Sequence, residues 1–555
     1  MHEQKLQVQE QIDSNLARPI GYGFLIKFTL PTIISFLIMG VFGIVDGVFA
    51  ARGISQEALG AINFVMPFFT FTMAIGLMLS MGGSALVAKK KGEYLTQEAR
   101  ENFTLITLAT FISSVVLSLF SWFFREPLLR LLGTDESVFD LALTYLQPLI
   151  LTMPFIMLGL LLVQFLIAEG RPVLGMIASS SGAIVSTALN VLFILILEIG
   201  VVGLALATGI GYAVPAVLGL IYFTYNRKGT IYFVCPKWDA YVLGRSSLNG
   251  ISEAITMMAT TVTSIVMNNV LVRIVGWEGV AAAGIVIAAQ GIFSSLFYGY
   301  SAGIAPVISY NFGRKKAYIA GELRGEEEQE NLKKLYQKSL VIVTVLSAIA
   351  LVATLLLADF LVRVYVSPHD PFMGHLHAMA MRGLRIVAIA YTLMGFNMFA
   401  AAWFTAFNDG IVSGMLSLSR TMGFLLILLI TLPRIWGLDG VWLALPLAEV
   451  FGVFVTIFFF VKMGKKYYYR TDARENPQDK VYANLLEELT QKDAQIAYLQ
   501  TEMMENQIKW QEEKKRHAIK RLELESLLRV YKKREKAQEA VEKLRPTHKV
   551  KVYTK

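Results

Sequence analysis

Between residues 23 and 463 the chain alternates long apolar runs with short polar breaks. A helix needs about 20 mainly apolar residues to cross a bilayer. Twelve stretches meet that length, at 23–51, 60–88, 101–124, 138–167, 173–197, 201–225, 248–275, 279–310, 335–365, 377–406, 411–433 and 439–463. The longest exceed what a perpendicular helix needs, which implies tilt or extension beyond the hydrocarbon. Pro31, Pro67, Pro154 and Pro215 fall inside these stretches. At membrane depth such breakers are tolerated where neighbours or a cavity satisfy the freed backbone groups.

After Tyr467, Tyr468, Tyr469 and Pro477 the pattern changes. Leu485, Leu489, Lys492, Ile496, Leu499 and Met503 recur in steps of four and three, which is a heptad seam. It falters at Asn506 and His517 and resumes at Leu524, Leu527 and Tyr531. A helix with coiled-coil character is expected, offering self- or partner association through 481–544; a long solvated helix is the alternative. The basic run Lys532–Arg534 suits anionic lipid headgroups, or a solvated helix end equally well.

The pattern predicts an all-α polytopic membrane protein with twelve transmembrane helices in two six-helix bundles. The bundles occupy 23–225 and 248–465, joined by a linker at 226–247, with an N-terminal segment at 1–22 and a helical tail at 466–555. Composition agrees: the 555 residues are 55% hydrophobic and 17% charged, well below the charge of soluble domains. The last 90 residues hold 21 of the 51 Lys and Arg and 15 of the 42 Asp and Glu. The pI near 9.2 therefore describes a polar tail on an apolar body and does not point to nucleic acid.

Orientation follows from basic residues beside the spans. One set of loops holds Lys89, Lys90, Lys91, Arg100, Arg227, Lys228, Lys237, Arg245, Arg314, Lys315, Lys316, Arg324, Lys333, Lys334, Lys338, Lys462, Lys465 and Lys466. The other holds Arg52, Arg125, Arg130, Arg273, Arg363, Arg382, Arg385 and Arg434. Both termini are expected in the cytoplasm of a cell (inner or plasma) membrane, and the polar first residues carry no signal-peptide pattern. The body also repeats weakly. Glu57–Gly92 aligns without gaps onto Glu278–Gly313, matching Ala61 with Ala282, Val65 with Val286, Ser80 with Ser301, Gly82 with Gly303 and Gly92 with Gly313. Parallel repeats of six spans about an axis along the membrane normal give two bundles facing across a cleft.

One cysteine, Cys235, excludes an internal disulfide framework, and six histidines in loops or tails form no metal-ligand pattern. No P-loop, HExxH or GxSxG is present, so enzyme chemistry has no foothold and no cofactor is expected. Ionisable residues inside spans are costly and mark function by default. Asp46 lies deep in the first span; Glu253 opens the seventh, where the helix macrodipole also favours a carboxylate. Asn190, with Ser186 one turn earlier, presents oxygens on one face of the fifth span, and Asn268 and Asn269 do likewise in the seventh. Amides in such helices also serve as interhelical glue. Arg420 and Glu449 are opposite charges that pair with each other, meet headgroups or line the cleft. Met66 and Phe68 belong to a Met- and Phe-rich second span whose residues pack helices or line a cavity for apolar cations.

The order of these features resembles the multidrug and toxic compound extrusion (MATE) transporters, in particular the bacterial DNA-damage-inducible and staphylococcal-type branch. The resemblance rests on Asp46, Gly203–Thr208 (GLALAT), Asn311-Phe312-Gly313, Arg420 and Pro446–Glu449 (PLAE), and covers about residues 15–465. It implies antiport by alternating access, with export of organic compounds driven by H+ or Na+ entry. The family's first-half cation site has an acid in span one, Asn and Asp one turn apart in span five and Thr in span six. Asp46 and Thr208 match its outer members, whereas Ser186 stands where Asn is common and Asn190 where Asp is common. Glu253 matches a Gly-x-Ser-Glu start of span seven found in some members.

The coupling ion is expected to be H+, because one carboxylate suffices for a proton. Na+ at Asp46 and Asn190, aided by Ser186 and Thr208, is the alternative. Small organic molecules and membrane lipids are the expected partners, with no nucleic acid. Two other readings compete: a flippase for lipid-linked saccharide, against which the few intramembrane basic residues argue, and a membrane scaffold acting through its tail.

Overall fold

The computed structural model describes residues 15–319, 328–365, 374–464, 466–467 and 477–543. Arg324, Lys465, Tyr468, Tyr469 and the histidines at 2, 369 and 548 lie outside the described residues, as do the side chains of Arg52, Leu485, Leu489 and Ile496. The described residues contain helices and no strand. Contacts divide the chain into two compact units, Met1–Arg474 and Glu475–Lys555.

Eleven helices of the first unit are long and apolar enough to span a membrane. In chain order the first to ninth spans are Tyr22–Val48, Glu57–Gly92, Thr96–Phe123, Phe139–Ala168, Pro172–Ile196, Val201–Tyr225, Ile251–Ile274, Glu278–Ala317 and Asn331–Arg363. The eleventh and twelfth are Gly410–Thr431 and Pro433–Met463. The tenth is a bent pair, Gly374–Ala388 and Tyr391–Ala406, turning by 54°. At the bend the backbone bonds tighten from four residues to three, as in Ala390 N to Val387 O at 2.9 Å and Thr392 N to Ile389 O at 3.2 Å. Hydropathy does not register such a change, so the sequence reads as one run.

The apolar core has several parts, and one of them joins the halves, with Leu25, Phe28 and Ile33 of the first span among Tyr300, Ile304, Ile308 and the fully buried Trp403 of the second half. Within the first half, Phe103 packs on Phe165, Phe223 and Phe233 at 4.7–4.9 Å between ring centroids. Within the second, Trp442 is buried among residues of its own half. The segment between the halves is tied back to the first half. Glu169 accepts hydrogen bonds from Thr230 N at 2.6 Å, Thr230 Oγ1 at 2.7 Å and Ile231 N at 3.1 Å, and pairs with the fully buried Lys91 at 3.1 Å.

The halves meet through glycines. A Cβ on Gly82 would strike the Ser246 carbonyl and the Gly250 backbone, and one on Gly303 would press on Thr29 and Thr32. Gly82 and Gly303 are matched positions of the sequence repeat, so the second span meets the start of the seventh as the eighth meets the first. Gly92 and Gly313, also matched, lie against each other at the end that carries Lys89, Lys90 and Lys91. Small residues at these crossings let backbones approach where any side chain would hold them apart.

Tyr467, assigned to the tail by sequence, is buried in the first unit: it stacks on Phe407 with centroids 4.5 Å apart and hydrogen-bonds Asp409. The described residues of the second unit form one helix, Pro477–Lys543, of 67 residues, about 100 Å long at 1.5 Å per residue. Leu499, Met503, Leu524, Leu527 and Tyr531 of the seam are exposed on it.

Candidate functional site

Three of the described helices contain a π-turn, and a polar residue of interest sits at or within one turn of each. These are Asp46 before Phe49–Ile54, Asn190 before Val191–Ile196, and Arg420 inside Ser419–Phe424. A π-turn inserts one residue and re-aims the side chains around it, and it occurs often at functional sites.

In the first half the fold brings Asp46, Asn190 and Thr208 together from spans one, five and six. Asn190 Nδ2 donates to Asp46 Oδ1 at 2.6 Å. Thr208 Oγ1 lies 3.3 Å from Asp46 Oδ2 and 3.0 Å from the Leu204 carbonyl. Its one hydroxyl hydrogen serves one acceptor at a time. A carboxylic acid at Asp46 would donate to Thr208 Oγ1 and leave that hydrogen to Leu204, so both hydroxyl hydrogens find an acceptor; an ionised carboxylate and Leu204 compete for it. Asn190 is fully buried, and its Oδ1 has no hydrogen-bond partner among the described residues. Ser186 is equally buried and wedged against Gly211, where a Cβ would press on it, but it makes no bond to Asp46.

A cavity of about 790 Å³ lies between the halves. Ser186 and Thr208 line it from the first half, and Glu253, Arg420 and Glu449 from the second. Asp46 and Asn190 are not on its wall, and Thr208, which lines the cavity, reaches the carboxylate from it. Gln164 spans the halves, donating to the Ala302 carbonyl at 3.1 Å. Arg420 and Glu449 pair with each other at 2.9 Å and also line the cleft.

Met66 and Asn268 line the cavity, but Phe68 and Asn269 do not. Phe68 is buried in the first-half core beside Ala61 and Val65, and Asn269 bonds its amide to the Ile265 carbonyl at 2.9 Å on an exposed face. At 100° per residue, positions one or two apart on a helix point to different faces, so a cluster in sequence is split in space. Sequence reasoning missed Asn397 and Thr456. Asn397 donates to Glu449 Oε2 at 2.7 Å and accepts from Thr456 Oγ1 at 2.9 Å. The rule that singled out Asn190, an amide within a span, would also have found Asn397.

Comparison with known proteins agrees with this architecture. The MatE family model matches residues 31–192 and 253–431, more than half of the chain. The multidrug export protein MepA of Staphylococcus haemolyticus is 23% identical over 438 residues, covering 78% of this chain and 92% of that protein. MepA of Staphylococcus aureus is 22% identical over 432 residues, covering 77% and 90%. Among solved structures, an outward-facing multidrug resistance MATE family transporter of the MOP superfamily is 19% identical with a TM-score of 0.75, covering 82% of this chain and 99% of that one. A MOP superfamily transporter from Pyrococcus furiosus, described as having reversed binding-pocket polarity, is 18% identical with a TM-score of 0.75, covering 83% and 99%.

Proposed function

The chain belongs to the MATE family of membrane transporters, and from that premise we propose that it is a multidrug antiporter. It exports amphipathic, often cationic, organic compounds by alternating access in exchange for an inward proton. The relatives named multidrug export proteins support the export reading. The cavity supports it too: its wall is mainly apolar, with Met and aromatic side chains among a few polar groups, which suits varied amphipathic molecules.

The observation that carries the coupling proposal is Asp46 held by Asn190 and Thr208 behind the cavity wall. One carboxylate there can take and release a proton, and Thr208 links it to the space the substrate occupies. Glu253 is a second proton site in the other half. One specific observation favours Na+ instead: the unpartnered Asn190 Oδ1, which together with Asp46 and Thr208 supplies oxygens for a hard cation. The amide turns its NH₂, not its oxygen, to the carboxylate, so the two side chains do not present their oxygens side by side.

On this reading the protein sits in the cell membrane with both termini in the cytoplasm, where the basic loops lie. The bundles at 23–225 and 248–465 are its moving halves, the linker at 226–247 joins them, and lipids and organic substrates are its partners. Association through 481–544 is assigned to the tail. Asp46→Asn tests the site. Efflux should be lost while expression and substrate binding persist; normal efflux by a well-expressed variant removes Asp46 from the mechanism.

A further inference from the structure

Among the described residues, three formal charges line the central cavity: Glu253, Arg420 and Glu449. Two of them cancel in a buried arrangement. Arg420 Nη1 donates to Glu449 Oε1 at 2.9 Å. Glu449 Oε2 accepts from Asn397 Nδ2 at 2.7 Å, and the same amide reaches the Glu449 carbonyl at 3.0 Å. Thr456 Oγ1 donates to Asn397 Oδ1 at 2.9 Å, which fixes which way the amide faces. Glu449 is 1% exposed and Arg420 8%.

The backbone makes room for this set. Arg420 stands in a π-turn of the eleventh span. Opposite it, a Cβ on Gly452 would come within 2.9 Å of Asn397 Nδ2 and 3.4 Å of Arg420 Cγ. Glu253 differs. Its half-buried carboxylate lines the same cavity with no hydrogen bond or ion pair among the described residues.

We propose that Glu449 and its positioning residue Asn397 form a charge-masking clamp that sets the transporter's selectivity. By neutralising Arg420 they leave the ionised form of Glu253 as the cavity's net charge, so organic monocations are admitted and organic anions are not. This rests on the export reading above. In a cavity with a mainly apolar wall a free guanidinium would repel cations and attract anions strongly. Discrimination of this kind works as much by penalising the wrong ligand as by attracting the right one. Asn397 acts through Glu449: without it one carboxylate oxygen loses its donor and the acid is free to leave the guanidinium.

The test is binding to purified protein in nanodiscs, using a fluorescent organic monocation and a fluorescent monoanion of similar size. Wild type should favour the cation. Glu449→Gln, which exposes the Arg420 charge, should lower the cation-to-anion affinity ratio about tenfold or more, chiefly by gain of the anion. Replacing both partners of a buried pair is usually well tolerated. Arg420→Met with Glu449→Gln should therefore fold and return the ratio to the wild-type value. Adding Glu253→Gln to that pair should abolish the preference. Asn397→Leu should lower the ratio part of the way, a change that loss of packing alone would not produce.

An unchanged ratio in folded E449Q overturns the clamp, and so does a double variant that loses the preference without the Glu253 change. The double and triple variants decide the matter even where E449Q does not fold. A wild type that binds neither probe overturns the export reading and the clamp with it; a wild-type cation preference that E449Q leaves intact overturns the clamp alone.

Discussion

Gly92 and Gly313 press backbone against backbone where the second and eighth spans meet: a Cβ on Gly92 would strike the Tyr310 carbonyl oxygen, and one on Gly313 the Lys89 carbonyl oxygen. They are equivalent positions of the internal repeat, so one substitution in each half strikes the same contact. Lys89 of the first half also lies over the Phe312 ring of the second, at 5.7 Å. Gly92→Ala or Gly313→Ala should disfavour this closed arrangement by about 1–3 kcal/mol, the usual penalty of overpacking. The readout is alkylation of a cysteine introduced at Ser309, in a variant whose Cys235 is replaced by Ser. Faster labelling is expected in the alanine variants; equal labelling would show that the contact does not hold the halves together.

The pairing of Lys91 with Glu169 makes a stability prediction. Both side chains are buried, and Glu169 also holds the backbone of Thr230 and Ile231. Removing one partner of such a pair typically costs about 3–5 kcal/mol, because a buried charge is left alone. Lys91→Met should therefore lower thermal stability sharply, and Lys91→Met with Glu169→Gln should lower it less. A single variant as stable as wild type would show the pair to be unimportant.

Asn190→Asp introduces a second acid into the fifth span. Its side chain would lie beside Asp46, since Asn190 Nδ2 and Asp46 Oδ1 are 2.6 Å apart. Two adjacent carboxylates titrate as a coupled pair, so the pH profile of efflux should move. An unaltered profile would mean that the Asp46 proton does not limit transport.

The tail helix Pro477–Lys543 belongs to the second compact unit. Deleting residues 476–555 should leave export by the body intact, measured as dye efflux at equal expression. Loss of transport by an inserted, folded truncation would make the tail part of the mechanism.

The twelve spans were legible because a bilayer imposes a length and composition that hydropathy reads directly. The repeat was legible as a few identities, and its glycines prove to be the crossings between halves. Asp46 and Asn190 were visible as polar residues in apolar runs and Thr208 through the family resemblance, but their meeting depends on the packing of three helices. The bend at Ile389 and Ala390 and the π-turn around Arg420 left no trace, because a change in backbone hydrogen-bond step alters no hydropathy. The separation of Met66 from Phe68, and of Asn268 from Asn269, needed the helix phase relative to its neighbours. Tyr467 was misplaced because an aromatic residue after the last span looks the same whether it stacks on Phe407 or faces solvent.

Proton entry through Asp46 is proposed to drive export. Inside-out vesicles containing the full chain measure this most directly, with uptake of a fluorescent organic cation followed under a pH gradient and a Na+ gradient imposed separately. Uptake should follow an acidic lumen without Na+, and Asp46→Asn should abolish it. Uptake driven by a Na+ gradient at constant pH, with the protonmotive force collapsed, would contradict the claim.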